Sequence, residues 1–147
     1  MREELIRQAE RLRIASRQLA SYTTDQKNQA LYAMAEMLER RQEEILAANA
    51  QDLQRGESSG MSKSLMDRLR LTPERVQAMA EGLRQIAALP DPVGAVLGEW
   101  ERPNGMRLQK VAVPLGVVGM IYESRPNVTV DAAGLCLKTG NAVMLRG

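Results

Sequence analysis

The sequence predicts an α/β protein built from a helical amino-terminal part, a β-hairpin and a strand–helix–strand unit. Three observations carry this. Apolar residues recur at helical spacing from the amino terminus to about residue 89. Glycine and β-branched residues rise from residue 93, around an Asn104-Gly105 turn pair. Two short apolar runs, 117–122 and 142–145, then flank a helix-like segment.

Taken in order, Leu5, Ala9, Leu12, Ser16 and Leu19 form one stripe of a first helix. Thr23 followed by Gln26 fits a capping box, in which hydroxyl and amide each satisfy an orphan backbone N–H. One long helix follows, with Leu31, Met34, Ala35, Leu38, Ile45 and Ala48 inward, ending before Arg55-Gly56-Glu57-Ser58-Ser59-Gly60, a loop by composition. A short helix over 62–69 turns Leu65, Met66 and Leu69 inward. Thr72-Pro73-Glu74 combines a capping hydroxyl, a proline at the first helical position and an acid in the first turn. The helix it starts buries Val76, Met79, Ala80, Leu83, Ile86 and Ala87, and Pro90 and Pro92 close the helical part.

Residues 96–102 and 106–113 are the hairpin strands, joined through Pro103-Asn104-Gly105. Pro114 and Gly116 break the second. Residues 117–122 are an apolar strand of the kind covered on both faces, 127–138 a helix capped by Gly140, and 142–145 a second buried strand. Strand, helix, strand in this order implies a parallel pair with a right-handed crossover. A two-stranded parallel sheet neither buries both faces nor protects both edges, so the sequence reads as the amino-terminal piece of a larger α/β protein; the alternative is a complete small α+β domain. Gly116 and Gly119 precede and enter a strand, so they are not a dinucleotide fingerprint; they read as a tight turn with close backbone packing.

Composition narrows the chemistry. The 147 residues are 44% hydrophobic and 26% charged, enough apolar matter for a core, which with no Phe must be Leu, Val, Ile, Ala and nine Met. No His means no Ser-His-Asp or Cys-His set from this chain and no His-containing zinc site. A single Cys excludes an internal disulfide and a CxxC pair. Cys136, among Ala132, Ala133, Gly134, Leu135 and Leu137, reads as a small packed hydrophobe, not a nucleophile. The net charge of +2 comes from interleaved signs, as in Glu39-Arg40-Arg41, which reads as solvated helix faces and not a nucleic-acid patch. No signal-peptide apolar region and no run near the ~18 apolar residues of a membrane span is present, so the expectation is a soluble, cytoplasmic protein.

The run Val113-Pro114-Leu115-Gly116 through Tyr122-Glu123-Ser124-Arg125-Pro126-Asn127 to Asp131-Ala132-Ala133, together with Cys136 to Gly147, closely resembles the γ-glutamyl phosphate reductase family of the aldehyde dehydrogenase superfamily. The helical part agrees, with Ala47-Ala48-Asn49 and Asp52, and Asp67-Arg68-Leu69 before Leu71-Thr72-Pro73-Glu74-Arg75. The resemblance implies an aldehyde dehydrogenase-like fold divided into a helical part of the cofactor-binding domain (1–92), a hairpin serving as an oligomerisation arm (93–113) and the start of an NADPH-binding parallel sheet (114–147). It implies NADPH-dependent reduction of L-glutamyl 5-phosphate to L-glutamate 5-semialdehyde and phosphate, in proline biosynthesis, by a homo-oligomer. A cysteine thiolate displaces phosphate to give a thioester, which hydride then reduces. That cysteine is expected beyond residue 147, so the chain alone is expected to be inactive; the alternative is a non-catalytic interaction module derived from the enzyme.

Site residues follow from the same resemblance. Arg146 stands where the superfamily ends a strand with a basic residue, usually lysine, near the adenosine ribose, and its guanidinium suits a 2′-phosphate. The other reading is a solvated strand-end cation. Tyr122, Glu123 and Ser124 are placed beside the cofactor. Arg125 is placed on the acyl phosphate or a cofactor phosphate, and Ser124 or Asn127 as the donor to the developing oxyanion. Alternatively, Asn127 only caps the helix. The Trp-Asn-(x)-Pro element of ordinary aldehyde dehydrogenases is absent here; Ser-Arg-Pro-Asn stands in its place.

Overall fold

The core forms where three helices cross. In a computed structural model describing residues 2–147, α1 (Arg2–Leu19), α2 (Thr24–Arg40), α3 (Gln42–Ser58), α4 (Lys63–Leu69) and α5 (Pro73–Ala88) precede hairpin strands β1 (Val96–Glu101) and β2 (Arg107–Val111). Then come β3 (Val117–Ile121), α6 (Pro126–Lys138) and β4 (Ala142–Arg146). Leu31 and Ala35 of α2 meet Ala80, Leu83, Ile86 and Ala87 of α5, with Val130 and Leu137 of α6 packed against them. All six inward positions expected of α5 are buried. Its start is set as the sequence requires: the Thr72 hydroxyl accepts from the Arg75 N–H, and Pro73 opens the helix. The capping box at Thr23 and Gln26 is present in both directions.

Two boundaries differ from expectation. The single long helix is two, α2 and α3, broken at Arg41 (φ −103°, ψ 20°). Residues 55–58, expected as loop, complete α3. The reason is tertiary: Gly56 is buried, and a Cβ there would lie 2.8 Å from the Met66 sulfur, so a glycine at this point lets α4 approach α3 closely. The turn itself is short, with Gly60 in the left-handed region.

The charged residues are not all on solvated faces. Lys27 and Lys138 are 1% and 2% exposed. The Lys27 ammonium pairs with Asp91 at 2.6 Å and donates to the Lys138 carbonyl. The Lys138 ammonium donates to Asn28 Oδ1 and the Ala87 carbonyl. These bonds tie α2, the end of α5 and the end of α6 together across more than 100 residues of sequence.

β1 and β2 pair antiparallel, with an irregularity between Val96 and Gly98, and Gly105 takes the positive φ of the turn. β3 and β4 pair parallel, Val117 opposite Ala142 through Ile121 opposite Arg146. The Asn141 side chain, itself buried, accepts from the Gly116 N–H and fixes the start of β3 against β4. The strand β3 is not covered on both faces as expected: Val117 is 39% and Ile121 86% exposed, because α1 and α6 flank a sheet of only two strands. The first turns of α1 are correspondingly exposed, and only Ser16 of its stripe is buried. Gly116 makes its turn at φ +112°, but a Cβ at Gly119 would meet open space, so close packing does not explain that glycine here. No described helix is long and apolar enough to cross a membrane.

Candidate functional site

In a parallel sheet the loops at the carboxyl ends of the strands share one edge, which is where α/β proteins place ligands. Here β3 and β4 end side by side: the Tyr122 N–H donates to the Arg146 carbonyl at 3.0 Å. The Tyr122 hydroxyl lies 2.6 Å from Thr129 Oγ1 on α6, which fixes its ring across the strand end. That ring packs on Gly147, where a Cβ would come within 2.7 Å of it. Arg146 is exposed and has no carboxylate within ion-pair distance among the described residues. It lines a groove of about 480 Å³ between α1 and the sheet, with Leu5, Gln8 and Met144.

The connection from β3 to α6 carries backbone strain. Ser124 has φ +50° and is the only described residue other than glycine in the left-handed region. A serine held there turns the chain sharply between Glu123 and Arg125. Arg125 is the cap residue of α6 and Pro126 its first helical residue; no side chain caps this end. Asn127 therefore lies inside the first turn, and the reading in which it only caps the helix is overturned: the cap position is two residues earlier. Glu123, Arg125 and Asn127 are exposed, and Tyr122 and Ser124 half-buried.

The expected site residues do not converge on one cavity. Arg125 and Asn127 point to a second cleft of about 470 Å³, walled by α4, the start of α5 and α6. Arg68, Arg70, Arg75 and Asp131 also line it, and none of these is a site residue expected from the sequence. Arg75 is committed to structure, its guanidinium bonded to the Asp67 and Arg70 carbonyls and paired with the Asp67 carboxylate.

Cys136 stands apart from both cavities, 8% exposed in α6. Burial pushes its thiol above the ordinary value, the opposite of what a nucleophilic thiolate needs. Ellman's reagent is expected to label Cys136 slowly in the native chain and rapidly in denaturant. Cys136→Ala is expected to cost only about 1 kcal/mol of stability in urea titration. Fast native labelling contradicts the packed assignment.

A scan against protein-family models finds no match. Curated relatives do match. The chain is 57% identical over 144 residues to the γ-glutamyl phosphate reductase of Geobacillus thermodenitrificans, covering 98% of the chain and 35% of the relative. It is 60% identical over 144 residues to that of Moorella thermoacetica, covering 34% of it. The crystal structure of γ-glutamyl phosphate reductase from Thermotoga maritima superposes with a TM-score of 0.94 at 44% identity, over 98% of this chain and 35% of that one. The Saccharomyces cerevisiae γ-glutamyl phosphate reductase gives 0.90 at 34% identity, over 95% of this chain and 35% of that one. A probable aldehyde dehydrogenase from Listeria monocytogenes, 18% identical with a TM-score of 0.67 over 97% of this chain and 29% of its own, shares the fold. The chain spans about a third of the length of the relatives it matches. By sequence and by fold the chain matches about a third of a γ-glutamyl phosphate reductase along nearly its whole length, with an aldehyde dehydrogenase-like architecture.

Proposed function

We propose that the chain supplies part of an NADPH-dependent oxidoreductase of proline biosynthesis that converts L-glutamyl 5-phosphate to L-glutamate 5-semialdehyde and phosphate. The observation that carries this reading is identity of 57% across nearly the whole chain to a γ-glutamyl phosphate reductase. The paired strand ends of β3 and β4 support it, since they offer the ligand edge the reaction needs.

The residues at that edge fit a phosphorylated dinucleotide. Arg146 is an exposed guanidinium without an acidic partner, and a planar fork suits a 2′-phosphate better than a ribose diol. Tyr122, Glu123 and Ser124 border the same strand end. When bound, NADPH supplies hydride. The chain's own residues bind and orient: Arg125 holds the anionic oxygens of the acyl phosphate and stabilises charge as phosphate departs, while Ser124 or Asn127 donates to the carbonyl oxygen. The buried Cys136 is not the nucleophile, so these 147 residues alone give no turnover. Exposed apolar residues of the hairpin region, including Leu97, Trp100 and Val113, suit an oligomer contact.

Arg146→Ala in the full-length gene product tests the cofactor assignment. Losing a bidentate charged contact of about 1.5–3 kcal/mol is expected to raise KM for NADPH by roughly 10- to 100-fold, and to leave KM for NADH nearly constant. An unchanged NADPH/NADH preference removes Arg146 from the site.

A further inference from the structure

We propose that the cleft between α4, α5 and α6 recognises the amino-acid end of the substrate, with Arg68 and Arg70 holding its α-carboxylate and Asp131 its α-ammonium. The inference takes the glutamyl identity of the substrate from the reading above and assigns the residues that read it. Beside Arg75, which is paired with Asp67, three further guanidinium groups, Arg68, Arg70 and Arg125, line this one cleft. Among the described residues none of the three has a carboxylate within ion-pair distance. Gathering unpaired like charges around a concavity is unfavourable in the empty protein, and is relieved by an anionic ligand.

Asp131 gives the cleft its second pole. Its carboxylate faces Gly82 of α5, 3.9 Å from where a Cβ would be, and has no cation partner among the described residues. It lies four residues after Asn127, so both sit on one face of α6, a turn apart. Arg125 and Asn127 mark the end of the cleft next to the strand edge; Arg68 and Arg70, at the end of α4, and Asp131 mark the rest. Unpaired guanidinium groups and an unpaired carboxylate in one cleft suit a zwitterion carrying a further anionic group. A plain dicarboxylate leaves Asp131 unanswered, and a plain amine leaves the arginines unanswered.

The test is calorimetric titration of the full-length gene product with L-glutamate, glutarate, which lacks the ammonium, and 4-aminobutyrate, which lacks the α-carboxylate. The wild-type protein is expected to bind L-glutamate at least about tenfold more tightly than either analogue. Asp131→Asn is expected to erase the preference over glutarate, and Arg68→Gln with Arg70→Gln the preference over 4-aminobutyrate. All three residues are exposed or at a helix end, and circular dichroism verifies that the variants fold. Absence of the preference in the wild type, or its survival in folded variants, overturns the assignment. Turnover of L-glutamate 5-semialdehyde with phosphate and NADP is read separately. Its absence while the ligand preferences hold refutes the reductase reading and leaves the zwitterion site standing.

Discussion

Asp91→Ala is expected to lower the unfolding free energy of the chain by about 3–5 kcal/mol, measured by urea titration. Among the described residues the carboxylate is the only acid within ion-pair distance of the Lys27 ammonium, at 2.6 Å, and that side chain is 2% exposed. Removing it leaves a buried cation with the Lys138 carbonyl alone, at 3.0 Å, to answer its charge. The same substitution strips an acceptor from the Thr24 hydroxyl and the Val93 N–H. The double variant Lys27→Met with Asp91→Ala is expected to recover much of the loss, because no charge then remains to be desolvated.

The pair also sets an acid limit. Burial works against the Asp91 carboxylate, but the bonds from Lys27, Thr24 and the Val93 N–H outweigh it and hold the group at about 2, against an ordinary 3.8. A carboxyl whose pKa is lowered by folding stabilises above its unfolded value. That contribution, roughly 2 kcal/mol, is complete above about pH 4 and is lost as pH falls toward about 2. In Asp91→Ala this part of the acid dependence is expected to vanish, which a series of urea midpoints across that window measures. An unaltered slope excludes Asp91 as its source.

This network shows where sequence reading stops. The order of elements was legible because it rests on local signals: a capping box at Thr23, the Thr72-Pro73-Glu74 start, a hairpin turn at Gly105. The six buried positions of α5 followed from spacing alone. Lys27 and Lys138 were illegible because their partners lie 51 to 111 residues away, and a lysine on a helix looks solvated until its neighbours are known. Gly56 misled for a related reason. Glycine and serine signal a loop, but the Met66 sulfur packed on Gly56 keeps that stretch helical. At the candidate site the strand-end loop was legible from its position after an apolar strand; the strain at Ser124 and the convergence of Arg68, Arg70 and Asp131 were not. The one available signal was that Arg68 has no acidic residue three or four positions away with which to pair.

Gly134→Val is expected to destabilise the chain by about 3 kcal/mol or more, through overpacking and not through helix propensity. Judged by propensity, a glycine in the middle of α6 is a defect, and a side chain there should gain up to about 1 kcal/mol. The packing reverses the sign. A Cβ at Gly134 would stand 2.6 Å from Leu83 Cδ2 and 3.1 Å from Ile86 Cδ1, with Leu31 Cδ2 at 3.6 Å. Leu83 and Leu31 are 1% and 0% exposed, so neither methyl has free space to enter, and α6 must lift from α2 and α5. That displacement loosens the crossing that seats the helix behind the strand-end loop, so binding at the cleft weakens along with stability. Leu83→Ala alone empties a core position and is expected to cost about 3 kcal/mol. Combined with Gly134→Val it returns the room the new methyls need, so the double variant is expected to be more stable than the sum of the single losses by more than 1 kcal/mol. Strict additivity in urea titration means that the two side chains do not compete for one space, and the account of Gly134 fails.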